Sequence, residues 1–187
     1  MKRVAEWERV ETEELADYDV FRVVRHRARS PRTDEVREFH VLEVPRCVTV
    51  IPFTSDGRVV MVEQYRHAIR AVSLEFPAGV VEDGEGPAAA GVRELEEETG
   101  WRAGSAELLG SFDADPAIQS NAVSVVVARG CTRDGERDQD DGEDVAVRIV
   151  SAAEIDELIR SGALRAAPAL SAWALYERSG RSPGPGR

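Results

Sequence analysis

The sequence predicts an α/β domain with a mixed sheet, preceded by a small antiparallel β-sheet. Three observations lead there. β-rich runs lie on both sides of one helical segment at 87–99, and two further helical segments close the chain. The N-terminal region reads as alternating strands joined by a turn. The 187 residues, 42% of them hydrophobic, suffice for one domain of generous size or one domain with a small appended sheet.

In chain order, 19–29 (DVFRVVRHRAR) and 35–44 (EVREFHVLEV) are β-rich, and Ser30-Pro31-Arg32-Thr33-Asp34 turns between them. This predicts an antiparallel hairpin. Arg25, Arg27 and Arg29 share one face of it at period two. A solvated strand face or a dimer contact accounts for them more simply than phosphate binding. CVTVIPF (47–53) and GRVVMVEQY (57–65) follow, joined by Thr54-Ser55-Asp56 with Gly57 in the turn, and VSLEF (72–76) is a further short strand. Pro87 suits a first helical turn and Gly100 a C-terminal cap, so a helix is predicted over 87–99. Strands are expected near 106–112, 121–129 and 144–150, around a polar, acidic loop at 131–143. AAEIDELIRSG, stopped by Gly162, and PALSAWALYER form the closing helices, and SGRSPGPGR is expected to be a disordered tail. The organisation is thus 1–45 for the N-terminal β-region and dimerisation element, 46–178 for the main domain and 179–187 for the tail.

Net charge is −11, from 35 acidic and 24 basic residues. That balance argues against non-specific nucleic-acid binding and against an anionic membrane surface as partner. Cys47 and Cys131 are too few for a disulfide framework or thiolate cage, and they are read as reduced and structural. The start, MKRVAEWERVETEEL, has no apolar segment of signal-peptide type, and no run approaches a membrane span. A cytoplasmic protein is the expectation.

Four of the five residues from Glu94 to Glu98 are glutamates. Like charges at neighbouring helical positions repel, so the carboxylates either face water independently or surround something positive. Counting 100° per residue from Ala88 puts Val92 and Leu95 within about 40° of it, as a stripe to pack on the sheet. Glu94, Glu97 and Glu98 fall together between roughly 180° and 280°. Carboxylates at i, i+3 and i+4 offer hard oxygen ligands to a divalent cation. Glu96 points elsewhere, towards solvent.

The surroundings of these acids carry more. Gly79 is followed after five residues by Glu85, and after seven more by Arg93-Glu94-Leu95, then Glu97-Glu98 and Gly100-Trp101. This resembles the Nudix box, the loop–helix–loop signature of the Nudix hydrolases, with every specified position filled. The resemblance implies a Nudix-type α/β/α sandwich. It also implies that Glu94, Glu97 and Glu98 bind Mg²⁺ or Mn²⁺, with the backbone carbonyl of Ala78 as a further ligand. Gly79 and Gly84 would let the preceding loop turn tightly. Glu85 and Arg93 could pair to hold that loop to the helix, or be a plain surface pair.

VEQYRHAI, SLEFPAGVVEDGE and RELEEETG together look like the ADP-ribose pyrophosphatase branch of that family, and Pro116 lies sixteen residues past Gly100 as the branch pattern asks. The surrounding DADPAIQSN stands where the branch has an SPG-type loop, which leaves room for nucleoside diphosphate sugars as substrates. The resemblance implies Mg²⁺-dependent hydrolysis of ADP-ribose to AMP and ribose 5-phosphate. A non-catalytic ADP-ribose sensor is a weaker alternative, because sensors commonly lose a box glutamate and none is lost here. Arg66 is a candidate to fork onto the diphosphate, or a structural arginine paired with Glu63 or Glu75. Glu75 could hold a ribose or a water. By resemblance the general base comes from the late loop, Glu143 first and Asp144 second, though both could be solvated acids. Relatives take adenine-stacking aromatics from the N-terminal sheet, sometimes across a dimer. Trp7 and Phe39 occupy plausible positions, with core packing the competing role for Phe39. A homodimer is expected, since a two-stranded hairpin leaves an open edge. His26, His40 and His67 have no ligand spacing.

Overall fold

The computed structural model describes residues 3–135, 137 and 144–181. Of the tail expected at 179–187, residues 182–187 lie outside the described residues, as does the candidate base Glu143. The chain divides into two compact units, one of 1–45 with 113–121 and the other of 46–112 with 122–187.

The first unit is built on a three-stranded antiparallel sheet of β1 (Glu8–Tyr18), β2 (Phe21–Arg29) and β3 (Val36–Glu43), in that order. The expected hairpin is β2–β3. β1 was not foreseen, because ERVETEELADY lacks an apolar alternation and all but one of its residues are exposed. Its partner pairing breaks register at Val10 and at Leu15, two bulges in an edge strand. One face of the sheet carries the arginines at period two, each meeting acids from neighbouring elements. Arg27 binds Glu11 at 2.8 Å, Arg29 approaches Glu8 at 3.5 Å, and Arg25 pairs with Glu13; off that period, Arg22 binds Glu43 at 2.9 Å. The alternate residues Val24, His26 and Ala28 are buried. The loop 113–121 joins this unit through β3. Leu42 N–H donates to Ile118 O at 2.8 Å, and Ser120 N–H donates to Leu42 O at 3.0 Å.

The second unit is a mixed sheet in the order β10–β5–β4–β9–β8, with β6 beside β5 and β7 beside β4. These strands are β4 (Cys47–Thr54), β5 (Val59–Arg66), β6 (Ala71–Glu75), β7 (Ala78–Val80), β8 (Ser105–Asp113), β9 (Ala122–Cys131) and β10 (Val145–Val150). β4 and β9 run parallel, whereas β5 is antiparallel to β4, β6 and β10. The central strands are covered on both faces, which is why CVTVIPF and VSVVVA read as continuous apolar runs. Val48, Val50, Val126 and Ala128 pack with Ala90 and Leu95 of α1 (Pro87–Thr99). Ile51, Phe53, Val125 and Val127 pack on the opposite side with α2 (Ala152–Arg160) and α3 (Ala167–Arg178), through Ile155, Leu158, Trp173 and Tyr176. This is the α/β/α sandwich expected. Each fully buried Phe, Ile or Val contributes about 1.5–3 kcal/mol.

α1 begins at Pro87, and Gly100 caps its end in the left-handed region at φ 71°, its N–H donating to Glu96 O. α2 starts in a capping box, Ser151 with Glu154, that the sequence reading passed over. Cys131 is buried in the sheet and its thiol is pushed up to about 12 by burial, which keeps it neutral and inert. No helix among the described residues is long and apolar enough to cross a membrane.

Candidate active site

The buried side of α1 is rotated from the one its apolar residues suggested. Ala88 and Val92 are only partly buried, while Gly91, Leu95, Glu98 and Thr99 are buried. Gly91 takes the place where a larger residue would press on Val126, since a Cβ there would lie 3.2 Å from the valine's own. A backbone that close to the sheet draws the neighbouring Glu98 inward. Glu98 is thus 5% exposed, at the join between the packed face and the acidic face.

That join is closed by β7. Ala78 N–H donates to Glu98 Oε2 at 3.3 Å, which places the start of β7 beside the buried carboxylate. Gly79, next along, lies in extended strand without a positive φ, so the turn role expected of it is not the one it has. A Cβ at Gly79 would stand 2.1 Å from the carboxylate of Glu94. Gly79 leaves room for that carboxylate; Gly84, at φ 83°, supplies the turn.

Arg93 organises the acids. Its Nη1 donates to Glu94 Oε1 at 2.9 Å and to Glu97 Oε2 at 2.8 Å. Nη2 donates to Val80 O at 2.8 Å and to Glu85 Oε2 at 3.2 Å. Arg93 and Glu85 therefore tie the loop to the helix and are more than a surface pair. Burial works against the charge of Arg93, but the surrounding carboxylates of Glu85, Glu94 and Glu97 outweigh it and push its pKa up. The hydrogen bond from Arg93 in turn holds the Glu85 carboxyl below its ordinary value, against a smaller opposing effect of burial. Glu96, expected to be solvated, is bound by Arg102 Nε at 2.8 Å.

Glu94, Glu97 and Glu98 offer hard carboxylate oxygens, the ligand type that divalent cations take. Two features of this chain fit a cation there: a carboxylate carried into the packed face at Glu98, and a glycine at 79 that admits a second one. No three His, Cys, Asp or Glu among the described residues form a ready-made cage, and Arg93 stands between Glu94 and Glu97.

The other predicted residues fall into smaller groups. Arg66 at the end of β5 forks onto Glu75 at the end of β6, with Nε to Oε1 at 3.0 Å and Nη2 to Oε2 at 2.8 Å. Burial pushes the Glu75 carboxyl up, but the Arg66 fork and the Ser73 hydroxyl together hold it below the ordinary value. Trp7 and Phe39 meet edge to face at 5.4 Å, and both are exposed, so Phe39 is not a core residue. With Arg9, His26 and Ala28 they line an open cleft of about 390 Å³ in the first unit. Pro116 is exposed in the 113–121 loop of that unit, within a turn in which Gln119 N–H donates to Asp115 O at 2.7 Å. Asp144 is exposed just ahead of β10.

Sequence reasoning missed Arg137. Its Nε and Nη2 donate to Glu98 O at 3.0 and 2.9 Å, and Nη2 also donates to Val145 O at 2.7 Å. A signal did exist: the last turn of α1 carries three glutamates before Thr99 and no basic residue, so a cation from elsewhere was called for.

Comparison with known proteins bears on the whole arrangement. A crystal structure of an ADP compounds hydrolase matches 96% of this chain and 96% of its own, with a TM-score of 0.83 at 21% identity, which establishes the fold. The methanol dehydrogenase activator of Bacillus methanolicus is 39% identical over 93 residues, half of each chain. An ADP-ribose pyrophosphatase of Bacillus subtilis is 32% identical over 122 residues, 65% of this chain and 66% of that one. The chain thus spans half of the first curated relative and just under two-thirds of the second. The NUDIX domain model matches residues 43–172, well over half of the sequence and the whole of the acidic helix with its flanking strands. The chain belongs to the NUDIX family.

Proposed function

We propose that this chain hydrolyses the pyrophosphate bond of ADP-ribose, giving AMP and ribose 5-phosphate, with Mg²⁺ or Mn²⁺ as cofactor. The observation that carries the reading is the acidic turn of α1: Glu98 folded inward beside Ala78, and Glu94 seated over Gly79. The relative named ADP-ribose pyrophosphatase supports the substrate class.

Glu94, Glu97, Glu98 and the Ala78 carbonyl would hold the cation. Bound there, it supplies neutralisation of the diphosphate charge and a water of lowered pKa. Arg66, held in plane by Glu75, is suited to fork onto a phosphate once the pair exchanges partners. The proton of the attacking water goes to a carboxylate oxygen of Glu143 or Asp144. The new bond joins the water oxygen to phosphorus, and the bridging P–O bond breaks. Trp7 and Phe39 offer aromatic surface for adenine. The chain is proposed to act as a cytoplasmic homodimer, an assembly supported by β1, the first strand of its sheet and an edge on which a second copy could dock.

The test is incubation with ADP-ribose and Mg²⁺, with AMP followed by chromatography and Glu98→Gln as control. Turnover by wild type and a loss of at least about 100-fold in the variant are expected; equal turnover by the two defeats the metal assignment. A second reading keeps the reaction and changes the substrate to an NDP-sugar, on the strength of DADPAIQSN around Pro116. Comparing kcat/KM across such compounds separates the two.

A further inference from the structure

We propose that Arg137 is a positioning residue for the acidic turn, clamping the end of α1 to the start of β10 so that the Glu98 carboxylate and Asp144 keep a fixed spacing. This rests on the pyrophosphohydrolase reading above.

The last carbonyls of a helix have no intrahelical donor, and they form the negative end of its dipole. In α1 that end also carries Glu96, Glu97 and Glu98 with no basic residue in the turn. Arg93 meets Glu97 and Arg102 meets Glu96 there, while the backbone carbonyl of Glu98 takes a cation from farther along the chain. Arg137 comes from 39 residues away and spends two donors on the carbonyl of Glu98 itself, the residue whose side chain is buried among the acids. A third bond from the same guanidinium goes to Val145 O, the first residue of β10 and the neighbour of Asp144.

The segment leading to Arg137 is docked on the same helix end at independent points. Thr132 and Arg102 exchange backbone hydrogen bonds at 2.9 and 3.0 Å, and Gly135 N–H donates to Gly100 O at 3.1 Å. Gly135 also lies against Glu96, whose Cγ would be 3.0 Å from a Cβ there. The chain is thus held at the helix end as far as Gly135, and the Arg137 guanidinium adds a further contact there. The guanidinium sets two nitrogens on the Glu98 carbonyl and shares one of them with Val145, a planar arrangement that the flexible stem of a lysine does not hold in advance.

The experiment uses the full chain, as wild type, Arg137→Ala and Arg137→Lys. Mn²⁺ affinity is read by electron paramagnetic resonance of the free ion without substrate, and kcat and KM are measured with ADP-ribose. Arg137→Ala is expected to weaken Mn²⁺ binding and lower kcat by about tenfold each, with KM within about threefold and partial recovery in added guanidinium. A purely structural arginine would lower melting temperature without that split or rescue. Wild-type Mn²⁺ affinity and kcat in Arg137→Ala overturn the proposal. Should the alanine variant fail to fold, Arg137→Lys decides: losses of at least about threefold in both are expected, and wild-type values overturn it. A wild type that binds Mn²⁺ but leaves ADP-ribose intact defeats the substrate reading, and Mn²⁺ affinity alone then judges Arg137.

Discussion

The N-terminal sheet and the acidic helix are built from the same two residue types, and they use them differently. On the sheet, Arg22, Arg25, Arg27 and Arg29 alternate with glutamates from both neighbouring strands. Each cation finds its own acid at the exposed surface, and the ladder is balanced where it stands. On α1, Arg93 is shared among Glu85, Glu94 and Glu97, with Glu98 buried beside them. The density of charge is similar; the balance is not. Charge density therefore marks little, whereas several carboxylates sharing one arginine beside a packed face set the acidic helix apart from the sheet.

The contrast can be broken most sharply at Gly79. A methyl group in Gly79→Ala would meet the Glu94 carboxylate at 2.1 Å and displace it from its seat. A fall in kcat of about 100-fold with ADP-ribose is expected, at nearly unchanged circular dichroism. Arg93→Ala comes next. Leaving several half-buried acids with no shared cation should cost about 2 kcal/mol in urea unfolding. If Arg93→Ala is no worse than a sheet arginine, the distinction between the two regions fails.

Acid sharpens the same point. Glu75 and Glu85 have carboxyls held below their ordinary value of 4.5 in the folded chain. The unfolded chain then binds more protons in that range, so their stabilisation is complete above pH 4.5 and is lost as pH falls through it and below. Melting temperature should decline over that acid window, and less so in Glu75→Gln. The smallest effect is expected for Arg27→Ala on the exposed ladder, about 0.5 kcal/mol and weaker still in high salt.

Much of the local structure could be read from spacing. Pro87 and Gly100 bracket α1 because one lacks a donor that a first turn does not need and the other tolerates φ 71°. β4 and β9 could be read because strands covered on both faces must be apolar throughout. β1 could not, since an edge strand rich in glutamate and exposed on both faces has no hydrophobic alternation to detect. Phe39 looked like core and is exposed, because strand propensity does not say which face is covered.

The site divides along the same line. Chain order sufficed for the box residues, for they lie within 23 positions of one another and helical geometry ties their relative directions. Helical periodicity could not place Glu98 inside, because that depends on Gly91 letting the helix approach Val126 on a strand far away in sequence. Nor could it find Arg137 on the Glu98 carbonyl, or the true role of Gly79, since both are contacts made between separate segments. Covalent spacing governs which groups are available within one element; close packing between elements governs which of them are buried, neutralised or left wanting a charge.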